Sequence, residues 1–295
     1  MKYILAQPAN ERFKWEVQTC VYSLTKLGVK RNEIVLLFTK EDEAVSEFFT
    51  RAGYDVHSYS DERGNKEYIA SIKPYLWWKY LDEDKRRQRG IYIYIDADTV
   101  FRDLIDVKKL PLSNDRWIGS NCNGYLNLDY ILRCKNGTEI AQHIANIVGV
   151  TLDSIKTINL NSAGAQWVIK QPSAKYWKKV YLDSNKIWKY FKTVNSDIQK
   201  WTAEMWAQLW NMMFFNIGPL VHKELDFAWS TDDASAFQNT KILHNAGVTE
   251  SMQNKLFFKG KYTKSAPPIE DLENINADKC SSIYARFIKE ALYQN

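Results

Sequence analysis

"IYIYIDADTVFRD", residues 91–103, is the stretch that decides the fold we expect. Alternating isoleucine and tyrosine favours a β-strand. The strand pattern leads directly into Asp96 and Asp98, which are separated by one alanine. Side chains two residues apart on a strand project to the same side, and two carboxylates placed together repel each other. The stretch therefore predicts a buried strand that ends at a charged site.

The residues before this stretch alternate between strand and helix patterns. Strands are predicted at "KYILA", "EIVLLFT" and "YDVHSYS", and helices at "RFKWEVQTCVYSLTKLG", "EDEAVSEFFTRAG" and "GNKEYIASIKPYLWWKYLDED". Pro74 in the last of these is expected to kink the helix or to mark a join between two helical pieces. Strict alternation predicts a parallel sheet covered by helices, which binds ligands beyond the carboxyl ends of its strands. Asp96 and Asp98 fall at such an end.

After residue 104 the pattern is less regular. Strands are predicted at "RWIGS" and "KILHNAGV", and helices at "AQHIANIVGV", "AKYWKKVYLDSNKIWKYF", "AEMWAQLWNMMFFNIG" and from about Ser281. Thr202 is a candidate N-cap for the third of these helices. "SAGAQWVIK" predicts a glycine-containing turn that enters an apolar run. We find no internal repeat and no linker, so we expect one compact α/β domain over residues 1–295.

Composition and charge narrow the class of protein. The 40 basic and 35 acidic residues leave a formal charge of +5, too small an excess to indicate nucleic-acid binding by itself. The four cysteines show no CxxC pair, which predicts reduced, buried thiols. The apolar start "YILA" is broken by Gln7 and Pro8, and no apolar run approaches the roughly 20 residues that span a bilayer. We therefore expect a cytoplasmic protein without a signal or transmembrane segment.

The paired aspartates have two interpretations. A hard divalent cation with bound diphosphate would compensate both charges, because Mg²⁺ and Mn²⁺ prefer oxygen ligands and share them between carboxylates and phosphates. Alternatively, Asp96 caps the next segment and Asp98 is solvated. Their position at the end of the most hydrophobic strand favours the metal site.

At this point the sequence resembles a known family. "YIYIDADTVF" is similar to the D-x-D segment of nucleotide-sugar-dependent glycosyltransferases of the GT-A fold. "SIKPYLWWKYL", "NSAGAQWVIK", "ILHNAGV" and the lysine-bearing "KLFFKGKY" occur in the order that the family shows, so the resemblance covers roughly residues 3–262. It implies a Rossmann-like, mostly parallel central sheet flanked by helices. It also implies a nucleotide-sugar-binding half over residues 1–105 and an acceptor-binding half with a helical tail over residues 106–295.

The resemblance implies metal-dependent transfer of a hexosyl or pentosyl group from a UDP-sugar to an acceptor hydroxyl. Asp98 and Asp96 would bind the metal, Asp96 alternatively the donor ribose. His244 would be the third ligand, and its imidazole suits Mn²⁺ better than Mg²⁺. The H-x-x-G spacing from His244 to Gly247 favours a ligand over a structural histidine. A histidine ligand resembles retaining members of the family, so we expect retention of anomeric configuration.

The remaining site residues are also implied by the resemblance. Donor binding is assigned to Gln7, Pro8, Ala9, Lys73, Asp96, Ser162, Gly247 and one lysine among Lys255, Lys259 and Lys261, of which we take Lys259. The Lys-Pro-Trp triplet that often follows this lysine motif in the family is absent here. Gln166 and Ser162 would bind sugar hydroxyls, although Asn161 or Ser162 would equally cap a helix there. Glu204 would orient the attacking hydroxyl or stabilise positive charge at the anomeric carbon, with Asp232 and Asp233 as alternatives; a first-turn glutamate also complements the helix dipole.

The acceptor stays open between several classes. "GYLNLDYILRCKNG" is similar to bacteriophage enzymes that modify hydroxymethylated bases of DNA, and a phosphate backbone could follow Lys85, Arg86, Arg87 and Arg89, or Lys178 and Lys179. A solvated loop before the strand explains the first cluster slightly better. The rival acceptors are lipopolysaccharide, capsule or protein. Of the tryptophans Trp77, Trp78, Trp201, Trp206 and Trp210, most are expected in the core and one or two at the acceptor.

Two other function classes compete with an enzyme of this kind. A non-catalytic nucleic-acid-binding module would leave Asp96 and Asp98 structural. A metal-dependent nuclease or phosphatase would need more carboxylates converging on two metals, and the sequence offers no such set.

Overall fold

The computed structural model describes residues 1–294, so Asn295, the last residue of the predicted domain, lies outside the described residues. The strands are β1 (Lys2–Pro8), β2 (Ile34–Thr39), β3 (Asp55–Tyr59), β4 (Ile91–Tyr94), β5 (Thr99–Phe101), β6 (Arg116–Asn121), β7 (Ala163–Lys170), β8 (Gly218–Val221), β9 (Phe227–Trp229) and β10 (Ile242–His244). The helices are α1 (Glu11–Lys26), α2 (Glu43–Arg51), α3 (Ile72–Glu83), α4 (Asn123–Leu126), α5 (Leu128–Arg133), α6 (Gly137–Val148), α7 (Leu152–Lys156), α8 (Ala174–Thr193), α9 (Ala203–Phe214), α10 (Ala236–Asn239) and α11 (Cys280–Tyr293). Among residues 1–294, no helix combines the length and the apolar character that crossing a bilayer requires.

The strands form a seven-stranded and a three-stranded sheet, and the chain divides into two compact units. The first unit contains residues 1–2, 59–94 and 107–222. The second unit contains residues 3–58 and 95–106 and the described residues from Lys223 onward. The predicted α/β fold, with a large sheet flanked by helices, is confirmed.

The second unit begins with the predicted strand-helix alternation. Its part of the large sheet has the order β3-β2-β1, and β1 runs parallel to β2 from Tyr3 opposite Ile34 to Pro8 opposite Thr39. All of β2 is buried, as expected for a strand covered on both faces. The small sheet also belongs to this unit, with β10 antiparallel to β5 and parallel to β9. Thr99 therefore lies opposite His244.

The first unit carries the strands β4-β7-β6-β8, and here the predicted parallel pattern is only partly followed. Strand β6 is parallel to β8, whereas β7 is antiparallel to both β4 and β6. Aromatic side chains fill the core of this unit, with Trp77 stacked on Trp177 at 4.8 Å between ring centroids. Trp206 and Trp210 are also fully buried, whereas Trp201 is exposed.

The structure decides several local alternatives that the sequence left open. Pro74 lies in the first turn of α3, just after a 3₁₀ turn at Ile69–Ser71, so the proline marks a join and not a kink. Residues Ala163–Lys170 form strand β7, so the alternative that a helix begins there is wrong. The four cysteines are buried free thiols, as predicted.

Candidate metal and donor site

Three predicted metal ligands lie together in the second unit. One ligand atom from each of Asp96, Asp98 and His244 lies within 4.8 Å of the others. His244 Nε2 is 3.7 Å from Asp96 Oδ2 and 3.2 Å from Asp98 Oδ1. The small sheet explains this proximity, because β5 begins directly after Asp98 and pairs with the strand that ends at His244. The two aspartates and the histidine, distant in sequence, thus form one cluster.

The backbone of the D-x-D segment is fixed by hydrogen bonds. The Thr99 hydroxyl donates to the Asp96 carbonyl at 2.7 Å, and the Asn245 N–H donates to the Asp98 carbonyl at 2.8 Å. The second bond joins the D-x-D segment to the residue that follows His244. The backbone that carries the two carboxylates is therefore held next to the small sheet.

Asp98 is a buried carboxylate with a cationic neighbour, Lys259. Its exposed fraction is 5%, and the Lys259 ammonium contacts Oδ2. Burial alone would raise the pKa of Asp98, but the Lys259 ammonium and the neighbouring His244 imidazole outweigh burial and hold that pKa well below its usual range. Asp98 is therefore ionised at neutral pH, as a metal ligand must be.

His244 is surrounded by aromatic rings. Trp229 lies parallel to the imidazole at 6.3 Å between centroids, and Phe227 lies at 5.3 Å. Gly247 has φ +84°, a left-handed conformation that glycine adopts without strain. The H-x-x-G spacing thus corresponds to a turn that needs glycine at its last position.

The donor set fits a divalent cation. Two carboxylates supply the hard oxygen ligands that Mg²⁺ and Mn²⁺ prefer, and the imidazole adds a nitrogen that suits Mn²⁺ better. The alternative in which Asp98 is merely solvated does not fit, since this side chain is buried.

Gln7 lies near the end of β1 and is a buried polar side chain without a hydrogen-bond partner among the described residues. Its exposed fraction is 3%, and neither side-chain amide atom has a hydrogen-bond partner among residues 1–294. Such a group costs about 1–3 kcal/mol. By contrast, Ala9 is tied into the fold, because its N–H donates to the Thr39 carbonyl and its carbonyl accepts from Asp42. Pro8 is also buried, so Gln7 is the residue of this segment with bonding capacity left for a ligand.

The three candidate lysines make different contacts. Lys259 contacts Asp98, whereas the ammonium of Lys261 lies 2.9 Å from Asp271 Oδ2. The Lys255 carbonyl accepts from the Asn276 N–H. Of the three, Lys259 is the one placed at the predicted metal ligands.

The alternatives to Glu204 have structural partners in the second unit. The Asp232 carboxylate accepts from the Trp229 N–H at 2.8 Å. Exposed Asp233 pairs with Lys279 at 2.7 Å.

The first unit contains Gln166 on a bulge in β7. The register shifts so that Gly119 pairs with Trp167 while Ser120 pairs with Gly164, which leaves Ala165 and Gln166 as extra residues. Ala165 has φ +55°, a strained value for a residue with a Cβ. The buried Gln166 side chain accepts a hydrogen bond from the Ser120 hydroxyl at 2.8 Å. Bulges of this kind often redirect a side chain next to a binding site.

Glu204 is a buried carboxylate in the first turn of α9. Its N–H donates to the Tyr68 hydroxyl at 2.7 Å. With the Gln208 amide oriented to satisfy both neighbours, Gln208 donates to Glu204 Oε1 at 3.3 Å and accepts from Trp167 Nε1 at 3.0 Å. A polar chain therefore runs from Glu204 to the residue after Gln166. Burial, reinforced by the Glu204 charge, raises the pKa of Tyr68 well above its usual value.

Ser162 and Lys73 also belong to the first unit. The Ser162 hydroxyl donates to the Asn159 carbonyl at 3.2 Å, and its N–H donates to Asn123 at 3.0 Å. Ser162 therefore has a structural role in the turn before β7. Lys73 is partly buried in the first turn of α3.

The fold that these elements define is the GT-A type, an α/β architecture with a large sheet flanked by helices. The chain is similar to an apo structure of the bifunctional glycosyltransferase WbbM, with a TM-score of 0.50 and 11% identity over 97% of this chain and 51% of that chain. It is also similar to the galactosyltransferase LgtC in complex with donor and acceptor sugar analogues, with a TM-score of 0.51 and 14% identity over 99% of this chain and 95% of that chain. The chain thus spans about half of the WbbM structure and nearly all of LgtC. No protein-family model and no curated protein matches the sequence. At these identities the likeness establishes the fold.

Proposed function

We propose that this chain is a metal-dependent glycosyltransferase that moves a hexosyl or pentosyl group from a UDP-sugar to an acceptor hydroxyl, with retention of anomeric configuration. The observation that carries the proposal is the cluster of Asp96, Asp98 and His244 at the end of a central strand in a GT-A fold. In the reaction, the bond between the anomeric carbon and the diphosphate oxygen breaks and its electron pair leaves with UDP. The acceptor oxygen bonds to that carbon, and its proton passes to the departing diphosphate.

Asp96, Asp98 and His244 would hold Mn²⁺ or Mg²⁺, which when bound acts as a Lewis acid on the departing diphosphate. Lys259 would add positive charge at the same diphosphate. Gln7, with Pro8 and Ala9, would bind the uracil and ribose. This binding would give the unpaired Gln7 amide its hydrogen-bond partners. Lys73, Ser162 and Gly247 complete the proposed donor contacts.

Gln166 and Glu204 would act on the sugars. The bulge in β7 and the bond from Ser120 hold the Gln166 amide in one orientation, which suits a group that binds a sugar hydroxyl. Buried Glu204 would orient the acceptor hydroxyl or stabilise positive charge at the anomeric carbon. We propose retention of anomeric configuration because a histidine as the third metal ligand resembles the arrangement in retaining members of the family.

A saccharide is the acceptor class we favour. LgtC, with the same fold, is described in complex with an acceptor sugar analogue. The basic residues proposed to follow a phosphate backbone are largely paired with acids: Lys85 with Asp82 at 2.6 Å, Arg86 with Asp84 at 2.8 Å, and Arg87 with Glu83 at 2.6 Å. This pairing leaves less free charge for DNA. Hydroxymethylated DNA stays a prediction that the same assay tests.

The test is UDP release from a panel of UDP-sugars, with Mn²⁺ and with EDTA, followed by transfer to oligosaccharides and to hydroxymethylated DNA. We expect Mn²⁺-dependent release that Asp98→Asn lowers at least about 100-fold, since several kcal/mol of leaving-group stabilisation are lost. Exposed Asp153, paired with Lys156 at 2.9 Å, gives the matched control Asp153→Asn, which should keep full activity. Release that ignores both EDTA and Asp98→Asn would refute the proposal. DNA binding without any release would favour the non-catalytic module.

A further inference from the structure

Lys259 makes a contact that a diphosphate-binding lysine does not need. Its ammonium lies against Asp98 Oδ2, while Asp98 Oδ1 faces His244 Nε2 at 3.2 Å. The Lys259 side chain keeps an exposed fraction of 28%, compared with 7% for the side chain of Asp98. A partly exposed cation thus neutralises a buried ligand carboxylate.

A second buried acid lies on the helix packed against the segment that carries Lys259. Glu16 on α1 has an exposed fraction of 2% and accepts from Arg12 Nε at 3.2 Å. Its neighbour Trp15 donates through Nε1 to the Tyr262 carbonyl at 3.1 Å and packs edge-on against Phe257. These contacts fix α1 against residues 257–262, the segment that contains Lys259.

The electrostatics place Lys259 under the influence of both acids. Burial opposes the charge of Lys259, but attraction to Asp98 and then to Glu16 outweighs burial and raises the pKa of Lys259. Burial raises the pKa of Glu16, against the attraction of Lys259. Asp98 and Glu16 therefore both attract one ammonium.

We propose that Lys259 is an exchangeable counter-cation, which neutralises Asp98 in the metal-free protein and transfers to Glu16 when a divalent cation binds Asp98. Glu16 is then a positioning residue, which keeps the displaced ammonium beside the site where the diphosphate would bind. The inference rests on the proposed metal site. Its physical reason is that a dication and an ammonium on one buried carboxylate repel each other, whereas Glu16 offers the ammonium a second buried partner.

The first experiment is a Mn²⁺ titration of the donor-free protein, followed by electron paramagnetic resonance of free Mn²⁺. Lys259→Met should tighten Mn²⁺ binding roughly tenfold, because the cation no longer displaces a charge-assisted hydrogen bond. Lys261→Met is the matched control: Lys261 lies in the same 3₁₀ turn but pairs with Asp271, so affinity should not change. Unchanged or weaker binding by Lys259→Met would overturn the inference. If the wild-type protein binds no Mn²⁺, the proposed metal site fails, and this inference with it.

The second experiment separates a positioning role for Glu16 from a general effect of its charge. Glu16→Gln should weaken Mn²⁺ binding in the wild-type background and have no effect in the Lys259→Met background, where no ammonium needs a second partner. A long-range charge effect or a structural role would weaken binding in both backgrounds. Equal losses in the two backgrounds would therefore contradict the assignment of Glu16.

Discussion

At the residue scale, the site is distinguished by buried polar groups whose partners are incomplete or exchangeable. Asp98 has the partly exposed Lys259 as a partner, and Gln7 has none among residues 1–294. Each such group lowers the free energy of unfolding. If stability alone mattered, these side chains would have full partners or would be apolar. Their cost is consistent with groups whose partners arrive with a ligand.

Gln7→Leu is expected to stabilise the ligand-free protein and to weaken UDP binding. Replacing an unpaired buried amide by an apolar group should raise the free energy of unfolding by about 1 kcal/mol. Loss of the hydrogen bonds to the base should weaken UDP roughly tenfold. Urea unfolding and calorimetry with Mn²⁺ measure the two effects.

The control for this variant is Ser23→Ala. The Ser23 hydroxyl donates to the Cys20 carbonyl at 2.7 Å and accepts from the Phe101 N–H at 3.1 Å. Its loss should therefore lower stability and leave UDP affinity unchanged. A Gln7→Leu protein that is less stable and binds UDP normally would show that Gln7 has only a structural role.

Lys259→Met is expected to destabilise the metal-free protein. Removing the ammonium leaves Asp98 buried beside Asp96 without its counter-charge, which should lower the free energy of unfolding by about 2–3 kcal/mol. Lys261→Met should cost less than about 1 kcal/mol, since its ion pair with Asp271 is exposed. Urea unfolding in EDTA measures both, and equal losses would contradict the role of Lys259.

The cluster of Asp96, Asp98 and His244 could be predicted from the sequence, because the D-x-D and H-x-x-G motifs resemble those of a known family. Glu16 could not. Its burial results from packing against distant residues, and a glutamate four residues after Arg12 on a helix ordinarily indicates an exposed ion pair.

At the element scale, the small sheet and the bulge in β7 position His244 and Gln166, for which we propose functional roles. Pairing of β5 with β10 brings His244 to the D-x-D segment, and the bulge holds Gln166. Strand and helix periodicity predicted most elements. It did not predict that β7 runs antiparallel or carries a bulge, because register and direction depend on the partner strand.

The start of α9 shows the same limit. Thr202 occupies the N-cap position, but its hydroxyl donates to the Gln199 carbonyl and accepts from Trp206 Nε1, so it does not cap the helix through its side chain. Tertiary packing has replaced the local bond that the sequence favours.

Ala165→Gly is expected to separate strain from function. Glycine removes the steric cost of φ +55°, which should raise the free energy of unfolding by about 1 kcal/mol. The same change should slow sugar transfer, because the added backbone freedom loosens Gln166. Gln171→Gly, at φ +51° beyond the end of β7, should stabilise without slowing transfer. Faster or unchanged transfer by Ala165→Gly would refute a role for the bulge.

At the scale of the whole molecule, the net charge and the pairing of basic residues bear on whether the acceptor is DNA or a saccharide. The formal excess of +5 and the local pairing of the 85–87 cluster predict only non-specific binding to duplex DNA, with a Kd on the order of 10⁻⁶ to 10⁻⁴ M at physiological salt. Fluorescence anisotropy with plain and hydroxymethylated duplexes across a salt series tests this. Submicromolar binding with a preference for hydroxymethylated DNA would reverse our choice of a saccharide.

The fold class could be predicted from alternation of strand and helix together with the order of the motifs. The sugar and the acceptor could not, because specificity depends on a few side chains whose arrangement is set by tertiary contacts. The functional division near residue 105 and the roles of Glu204 and Lys73 stay predictions.

The most direct test of the central claim, that Asp96, Asp98 and His244 hold a cation which anchors a nucleoside diphosphate, is calorimetric titration of UDP into the protein with Mn²⁺ and with EDTA. We predict binding with Mn²⁺ that weakens at least about 100-fold with EDTA or in Asp98→Asn, and that Asp153→Asn preserves. UDP binding of equal strength with and without Mn²⁺, unaltered by Asp98→Asn, would contradict the account.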